Sequence, residues 1–448
     1  MVKYEVIRPL RGFRDILPPE SEVMAALVEL FRKIGHRYGY VEIIPPTLEH
    51  FELFAIKSGE EIRKSMFVFQ DKAGREVALR PEVTASIARA YSNKLVAEPK
   101  PLRLMYIANC FRYEEPQRDR YREFYQAGAE LLGLEEPLGE IEILSFLVEF
   151  YSEIGLTEYI GLKIGDAGIH KLIMDSLGIP EKPQELVLHY MDKKMYDEAL
   201  STMSEYARLE KPVEDALRGL WALSLKNTGE EFVEKSQMVI DELNLPKDVR
   251  DRIMQRVNNL AYLAKILSQI FPQKRIDIQL GFARGLAYYT GVIFEVLNVE
   301  RGISIAGGGR YDELVSLYSP YSVPATGFAI GIDRTISLYI SKKPIEEIRK
   351  RYMPEILLVV LGRENIEYSL PILKELHTKG LRVVLKIESE KHLRRVLNEA
   401  VSAGYNYLLI IGDKERDSRV ISVRNLRQRS QEVISISNLD KLVDKLKT

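Results

Sequence analysis

Residues 102–133 read LRLMYIANCFRYEEPQRDRYREFYQAGAELLG. Both ends of this stretch, LMYIANCFRYE and REFYQAGAELL, cluster apolar and aromatic residues without helical spacing, and so predict two strands. Between them lies a polar loop with Arg118, Arg120 and Arg122. The resulting hairpin places Arg112 and Glu114 on its outgoing strand, Gln126 and Glu130 on its return strand, and a cationic tip between. Guanidinium forks match phosphate oxygens and stay charged at any relevant pH, so such a tip suits a polyphosphate. A solvated charged turn on an exposed hairpin is the plainer alternative.

Composition bounds the rest. A chain of 448 residues exceeds one hydrophobic core, which predicts about two to four domains. With 46% hydrophobic and 29% charged residues it falls among soluble globular proteins. A net charge of -1 means that any basic surface must be local. Cys110 is the sole cysteine, which excludes intramolecular disulfides and cysteine-rich zinc sites. The six histidines are scattered without metal-ligand spacing, so no protein-built metal site is expected. No apolar run reaches membrane-spanning length, and the N-terminal MVKYEVIRPLRGFRD lacks a signal-peptide core; a cytoplasmic location is the expectation.

Along the chain, residues 8–19 are extended and bounded by proline. Pro18 and Pro19 then open a helix with Val23, Leu27, Phe31 and Ile34 on one face. Residues 40–46, YVEIIPP, predict a strand stopped by prolines and therefore near an edge. Residues 67–70 and 76–79 flank DKAG as a hairpin. RPEVT follows at 80–84, with Pro81 as the first residue of a helix through Tyr91. Glu82 can serve the positive end of that helix or, with Thr84, bind an ammonium group. A helix over 141–155 and a strand over 159–164 precede about a hundred residues of helical pattern, from 169 to 270. Strand signals return at 276–280, followed by RGLAYYTG at 284–291. Residues 306–312, AGGGRYD, match neither common phosphate-loop pattern; a backbone kept bare for a ligand or a neighbouring strand fits better. Residues 341–354 are a charged linker. Beyond them, strands at 356–361, 381–387 and 407–411 alternate with helices, which predicts a small α/β domain with a mostly parallel sheet. Its Arg416, Arg419, Arg424, Arg427 and Arg429 form either a solvated face or contacts to RNA phosphates.

Several of these runs carry a family resemblance. FRYE at 111–114 resembles motif 2 of class II aminoacyl-tRNA synthetases, the segment ending at Pro46 resembles motif 1, and TGFAIGIDR at 326–334 resembles motif 3. LRPEVT at 79–84 and RGLAYYTGVIFE at 284–295 resemble signatures of histidyl-tRNA synthetases and their paralogues, with Ala287 where the family usually carries aspartate.

The resemblance spans the chain and implies an α+β fold. A class II catalytic core with a six-stranded antiparallel sheet would occupy 1–165 and 273–340, with a helical insertion at 166–272 contacting tRNA. After the linker at 341–354, an anticodon-binding α/β domain would occupy 355–448. A homodimer joined through motif 1 is implied as well.

The implied reaction is attack of the histidine carboxylate on the α-phosphorus of ATP, followed by acyl transfer to the terminal ribose of tRNA(His). Arg112 and Arg284 would hold the α-phosphate and the substrate carboxylate, and Arg334 and Arg120 the outer phosphates. Glu114 would approach the adenine. Glu130 would accept from an imidazole N–H, and Tyr288 or Tyr289 would bond the other ring nitrogen. Glu82, Thr84, Gln126 and the Val83 backbone would bind the amino group, and Gln117 and Arg118 the tRNA acceptor end. Mg²⁺ would be held mainly by the ATP phosphates. Two other readings share these motifs: a non-catalytic regulatory subunit of an ATP phosphoribosyltransferase, and a tRNA-binding module without aminoacylation.

Overall fold

The computed structural model describes residues 7–58, 60–115, 119–225, 230–272, 275–284, 288–345 and 355–447. The chain divides into two units, residues 1–343 and 344–448. In the first, the strands are β1 (Val41–Glu42), β2 (Leu48–His50), β3 (Val68–Gln70), β4 (Glu76–Leu79), β5 (Leu102–Phe111), β6 (Glu123–Leu132), β7 (Ile160–Asp166), β8 (Ser224–Leu225), β9 (Ile276–Gln279), β10 (Val292–Asn298), β11 (Ile303–Arg310) and β12 (Ala325–Gly331).

The 102–133 hairpin forms part of the larger sheet. Its strands β5 and β6 pair antiparallel with Leu104 opposite Glu130, Tyr106 opposite Gly128 and Ala108 opposite Gln126. From there the order β5-β6-β12-β11-β10-β7 is antiparallel throughout, the six-stranded core that the resemblance implies. Three short strands widen it to nine: β1 lies parallel to β5, β9 parallel to β7, and β8 antiparallel to β9 at the far edge. Separately, β2, β4 and β3 form a small antiparallel sheet.

The glycine run explains how the central strands approach. A Cβ on Gly308 would lie 2.0 Å from the Gly327 carbonyl oxygen, and one on Gly309 would lie 2.6 Å from that of Val292. Strand packing therefore accounts for two of the three bare positions, as the sequence suggested. Helix Glu20–Arg37 and helix Leu138–Glu153 meet the sheet through Phe31, Phe146 and Phe328, whose ring centroids are 5.0 to 6.2 Å apart. At the end of β11, Arg310 is 2% exposed and donates to Glu140 at 2.7 and 3.0 Å, with Asp312 at 3.0 Å.

Three local expectations change. The strand over 40–46 shrinks to Val41–Glu42, since its prolines cannot donate to a ladder. The helix expected from Pro81 begins at Thr84. Arg112 Nε donates to the Pro81 carbonyl at 3.0 Å, and the Glu82 carboxylate accepts from the Thr84 and Ala85 amides at 2.5 and 3.0 Å, so the helix starts after them. Arg112 and Glu114 lie past the end of β5 rather than on it. Arg112 N still donates to Arg122 O at 2.9 Å, but Tyr113 N turns away to Ser65 O at 2.9 Å, which ends the ladder.

The helical stretch comprises Ala167–Ser176, Glu181–Asp192, Tyr196–Ser204, Lys211–Ala222, Glu230–Glu242 and Lys247–Leu267, and all of it belongs to the first unit. Arg256 on the last of these helices donates to the buried Asp166 at 3.0 Å, at the end of β7.

In the second unit β13 (Ile356–Leu361), β14 (Val383–Glu388) and β15 (Tyr407–Ile411) are parallel, and β16 (Val420–Asn425) and β17 (Ser430–Ser435) complete the sheet antiparallel. Apolar clusters cover both faces. Of its arginines, Arg416 is engaged internally, donating to Asn365 Oδ1 at 2.8 Å and pairing with Asp417 at 3.0 Å. Among the described residues, no helix is long and apolar enough to cross a membrane.

Removing one partner of a buried ion pair leaves the other charge uncompensated, at a cost of about 3 to 5 kcal/mol. Arg310→Met is therefore expected to lower the unfolding free energy of the full chain by about that much in urea titration. A loss below about 1 kcal/mol would show that Glu140 does not depend on it.

Candidate active site

Glu130 sits at the centre of a buried polar cluster. It is 1% exposed; Oε1 accepts from the Thr84 hydroxyl at 2.7 Å, and Oε2 accepts from the Tyr311 hydroxyl. Gly327 opposite it on β12 is bare for a reason: a Cβ there would lie 1.7 Å from Glu130 Oε2. Burial pushes the Glu130 carboxyl up to about 8, against the pull of the Tyr311 and Thr84 hydroxyls and with a further push from the Glu82 charge.

Aromatic rings lie around this cluster. Tyr288 lies 4.9 Å from Tyr289 and 6.0 Å from Tyr311, centroid to centroid. Burial, then Tyr289 and the charges of Glu82 and Glu130, hold the Tyr288 hydroxyl protonated. Tyr106 is fully buried, and its hydroxyl has no hydrogen-bond partner among the described residues. Burial also raises Tyr106, with Glu130 as the next cause and Glu82 contributing. Glu82 is raised by burial, opposed by its two backbone bonds and then by the Arg112 charge. Val83 is fully buried, and Gln126 accepts from the Cys110 thiol at 3.3 Å.

Arginines act on the neighbours of Glu130, Arg112 on Glu82 and Arg284 on Tyr289. Arg112 stacks on Phe124 at 5.2 Å. Arg284 Nη1 donates to Phe294 O at 3.1 Å and fills the space above Gly307, where a Cβ would lie 1.8 Å away. Tyr289 is raised by burial and lowered by Arg284, which ties that guanidinium to the aromatic wall. Burial works upward on Glu295, but the charges of Lys163 and Arg284 hold its carboxyl below the usual range. Arg334 Nη1 donates to Ser304 O at 2.8 Å. Its pKa is lowered by burial and then by the cations Arg120 and Arg112, so these three guanidinium groups form one like-charged cluster. Arg120 is paired with Glu114.

The structure thus brings Arg112, Glu114, Arg120 and Arg334 together, and likewise Glu82, Thr84, Glu130, Tyr288, Tyr289 and Arg284, with Arg112 acting on Glu82 to link the two groups. Gln117, Arg118 and Ala287 lie outside the described residues. Sequence reasoning missed Tyr106 and Tyr311. Tyr106 shares its face of the hairpin with Gln126 and Glu130, a parity visible only once the register is known. It also missed Asp333, which accepts from Tyr125 N at 2.8 Å and from Arg14, 319 residues away in sequence, at 2.9 Å. That clamp fixes the start of helix Ile332–Lys342 beside Arg334. Among the described residues, no group of three or more His, Cys, Asp or Glu side chains could hold a metal ion.

A family model described as histidyl-tRNA synthetase matches residues 12–335, and one described as anticodon binding domain matches residues 355–446. The histidine–tRNA ligase of Sulfolobus acidocaldarius is 38% identical over 432 residues, 96% of this chain and 97% of that relative. That of Saccharolobus solfataricus is 39% identical over 439 residues, 98% of each chain. Among solved structures, histidyl-tRNA synthetase from Nostoc sp. PCC 7120 superposes with a TM-score of 0.75 at 20% identity, covering 98% of this chain and 99% of that one.

A carboxyl whose folded pKa lies above its unfolded value binds more protons when folded, so stability falls as pH rises between the two. For Glu130 that window runs from the ordinary carboxylate range to about 8. Glu130→Gln, which cannot ionise, is expected to gain stability relative to the parent chain as pH rises from about 5 to 8, with no further gain above. Parallel urea titrations across that range measure it; a constant difference would refute the raised pKa.

Proposed function

The chain belongs to the histidyl-tRNA synthetase family, and on that footing we propose that it activates L-histidine with ATP and transfers the histidyl group to the 3′ end of tRNA(His). In the first step a histidine carboxylate oxygen bonds to the α-phosphorus of ATP as the bond to pyrophosphate breaks. In the second, a terminal ribose hydroxyl attacks the acyl carbon, and AMP leaves with the electron pair.

One observation carries this reading: a buried carboxylate, Glu130, is held by two hydroxyls among aromatic side chains, and its neighbours Tyr289 and Glu82 feel the charges of Arg284 and Arg112. Glu130 accepts from an imidazole N–H, and Tyr288 or Tyr289 bonds the other ring nitrogen. Thr84 donates to Glu130, which leaves its oxygen lone pairs for the substrate ammonium. Glu82 accepts two backbone amides and retains acceptor capacity for the same ammonium, alongside Gln126 and the Val83 backbone. A pocket built on hydrogen bonds rejects side chains that cannot make them, because its own buried groups would then stay unpaired.

Arg112 and Arg284 hold the α-phosphate and the substrate carboxylate. Displacement at phosphorus is accelerated mainly by positioning and by charge placed where negative charge spreads. Arg334 and Arg120 take the outer phosphates; the mutual repulsion of the Arg112, Arg120 and Arg334 cluster is relieved when a polyanion arrives. Glu114, now paired with Arg120, would turn to the adenine edge. Mg²⁺ enters with the nucleotide, held mainly by its phosphates. Gln117 and Arg118 are assigned to the acceptor end.

We assign the chain to the cytoplasm as a homodimer joined beside motif 1, where Val41 and Ile44 stay 56% and 85% exposed on the single chain. Residues 355–448 are assigned to the anticodon. The regulatory-subunit and tRNA-binding readings are less well supported, since neither requires the arginine set and the second unit together.

The test is histidine-dependent exchange of pyrophosphate into ATP without tRNA; its absence from active protein would overturn the reading. Arg284→Ala is expected to slow single-turnover adenylate formation by about a hundredfold or more, with tRNA binding little changed. Calorimetry on Glu130→Ala is expected to show histidine affinity falling far more than ATP affinity. Unchanged histidine binding would remove Glu130 from its role.

A further inference from the structure

The helical stretch 167–267 does more than pack beside the core, because it consumes the backbone bonds of the residues that lead into Arg284. Leu280 stands four positions before that arginine. Its N–H donates to Leu223 O at 3.1 Å, at the end of the Lys211–Ala222 helix. Its carbonyl accepts from His170 Nε2 at 2.6 Å, on the helix Ala167–Ser176. Burial holds His170 neutral, its pKa pushed down to about 4, so the single ring proton resides on Nε2 to make this bond. Gly281 is seated against the Trp221 backbone, where a Cβ would lie 2.1 Å from the Trp221 carbonyl oxygen. Trp221 in turn stacks on Tyr196 at 5.5 Å, deeper in the helical stretch. Just upstream, β8 pairs with β9 through Ser224 opposite Gln279 and Leu225 opposite Ile278.

We infer that the helical stretch is the positioning device for Arg284, with His170 and Gly281 as the residues through which it acts. Both backbone groups of Leu280 and one face of Gly281 are held by it. Among the described residues, the Arg284 side chain itself is then aimed by its bond to Phe294 O. Displacing Leu280 displaces the guanidinium, and with it the charge at the reacting phosphorus. This inference rests on the proposed adenylation chemistry.

A double-mutant cycle separates positioning from stability. His170→Phe keeps ring volume but leaves the Leu280 carbonyl without its donor. In pyrophosphate exchange it is expected to lower kcat by about a hundredfold, the scale of a misplacement of about 1 Å, while KM for histidine and ATP changes little. In an Arg284→Lys background the same substitution is expected to cost only about twofold, because the group it positions is already altered. His170→Gln, whose amide can donate to the same carbonyl, is expected to recover most of the activity. Gly281→Ala, which leaves His170 in place, should show the same coupling to Arg284 and serves if His170→Phe fails to fold. Equal losses in both Arg284 backgrounds, or a loss that follows the fall in melting temperature alone, would overturn the inference while leaving the reaction intact. A parent chain with no exchange would overturn the reaction itself.

Discussion

Glu130 is a carboxylate removed almost wholly from water, and the core of the first unit is arranged to meet that cost. Two hydroxyls from distant segments, Thr84 and Tyr311, donate to its oxygens, and Gly327 on the next strand is bare so that they fit. An ionised group in such a place is strongly disfavoured unless it is hydrogen-bonded, which is why its pKa rises even with both donors present. The helix after β4, the strand β6 and the turn after β11 are therefore held to one another by a polar contact rather than by packing alone.

The surrounding charges follow two different logics. Arg310 and Glu140 are both buried and fully paired, and they fix the underside of the sheet. Arg334 is instead lowered by burial and then by the nearby charges of Arg120 and Arg112, a like-charged arrangement that an anionic ligand resolves. The first arrangement supports structure, and the second stores an electrostatic preference for a polyanion. Arg284 belongs to neither group. It is delivered to the aromatic wall by a backbone segment whose own bonds are satisfied from the helical stretch.

The histidines illustrate how context decides chemistry. His170 is buried and driven to its neutral form, so it acts as a fixed donor rather than a proton carrier. In the second unit, His377 Nε2 lies 2.9 Å from the Val383 carbonyl oxygen.

Local sequence determined the element types. Alternation and aromatic clustering mark β5 and β6, helical spacing marks Glu20–Arg37, and the 356–411 alternation marks the second unit, because these periods follow from backbone geometry within a few residues. The quoted motifs were also legible, and with them the family. What only the tertiary structure decided is which residues share a face and which ends are tied together. Tyr106 joins Glu130 through hairpin register, Tyr311 after β11 and Thr84 on the helix after β4 meet one carboxylate, and Arg14 reaches Asp333 across 319 residues. Even the early end of β5, before Arg112, depends on Tyr113 finding Ser65. These outcomes are set by competition among distant hydrogen-bond partners for buried donors and acceptors, and no periodicity within a short window of sequence records which partner wins.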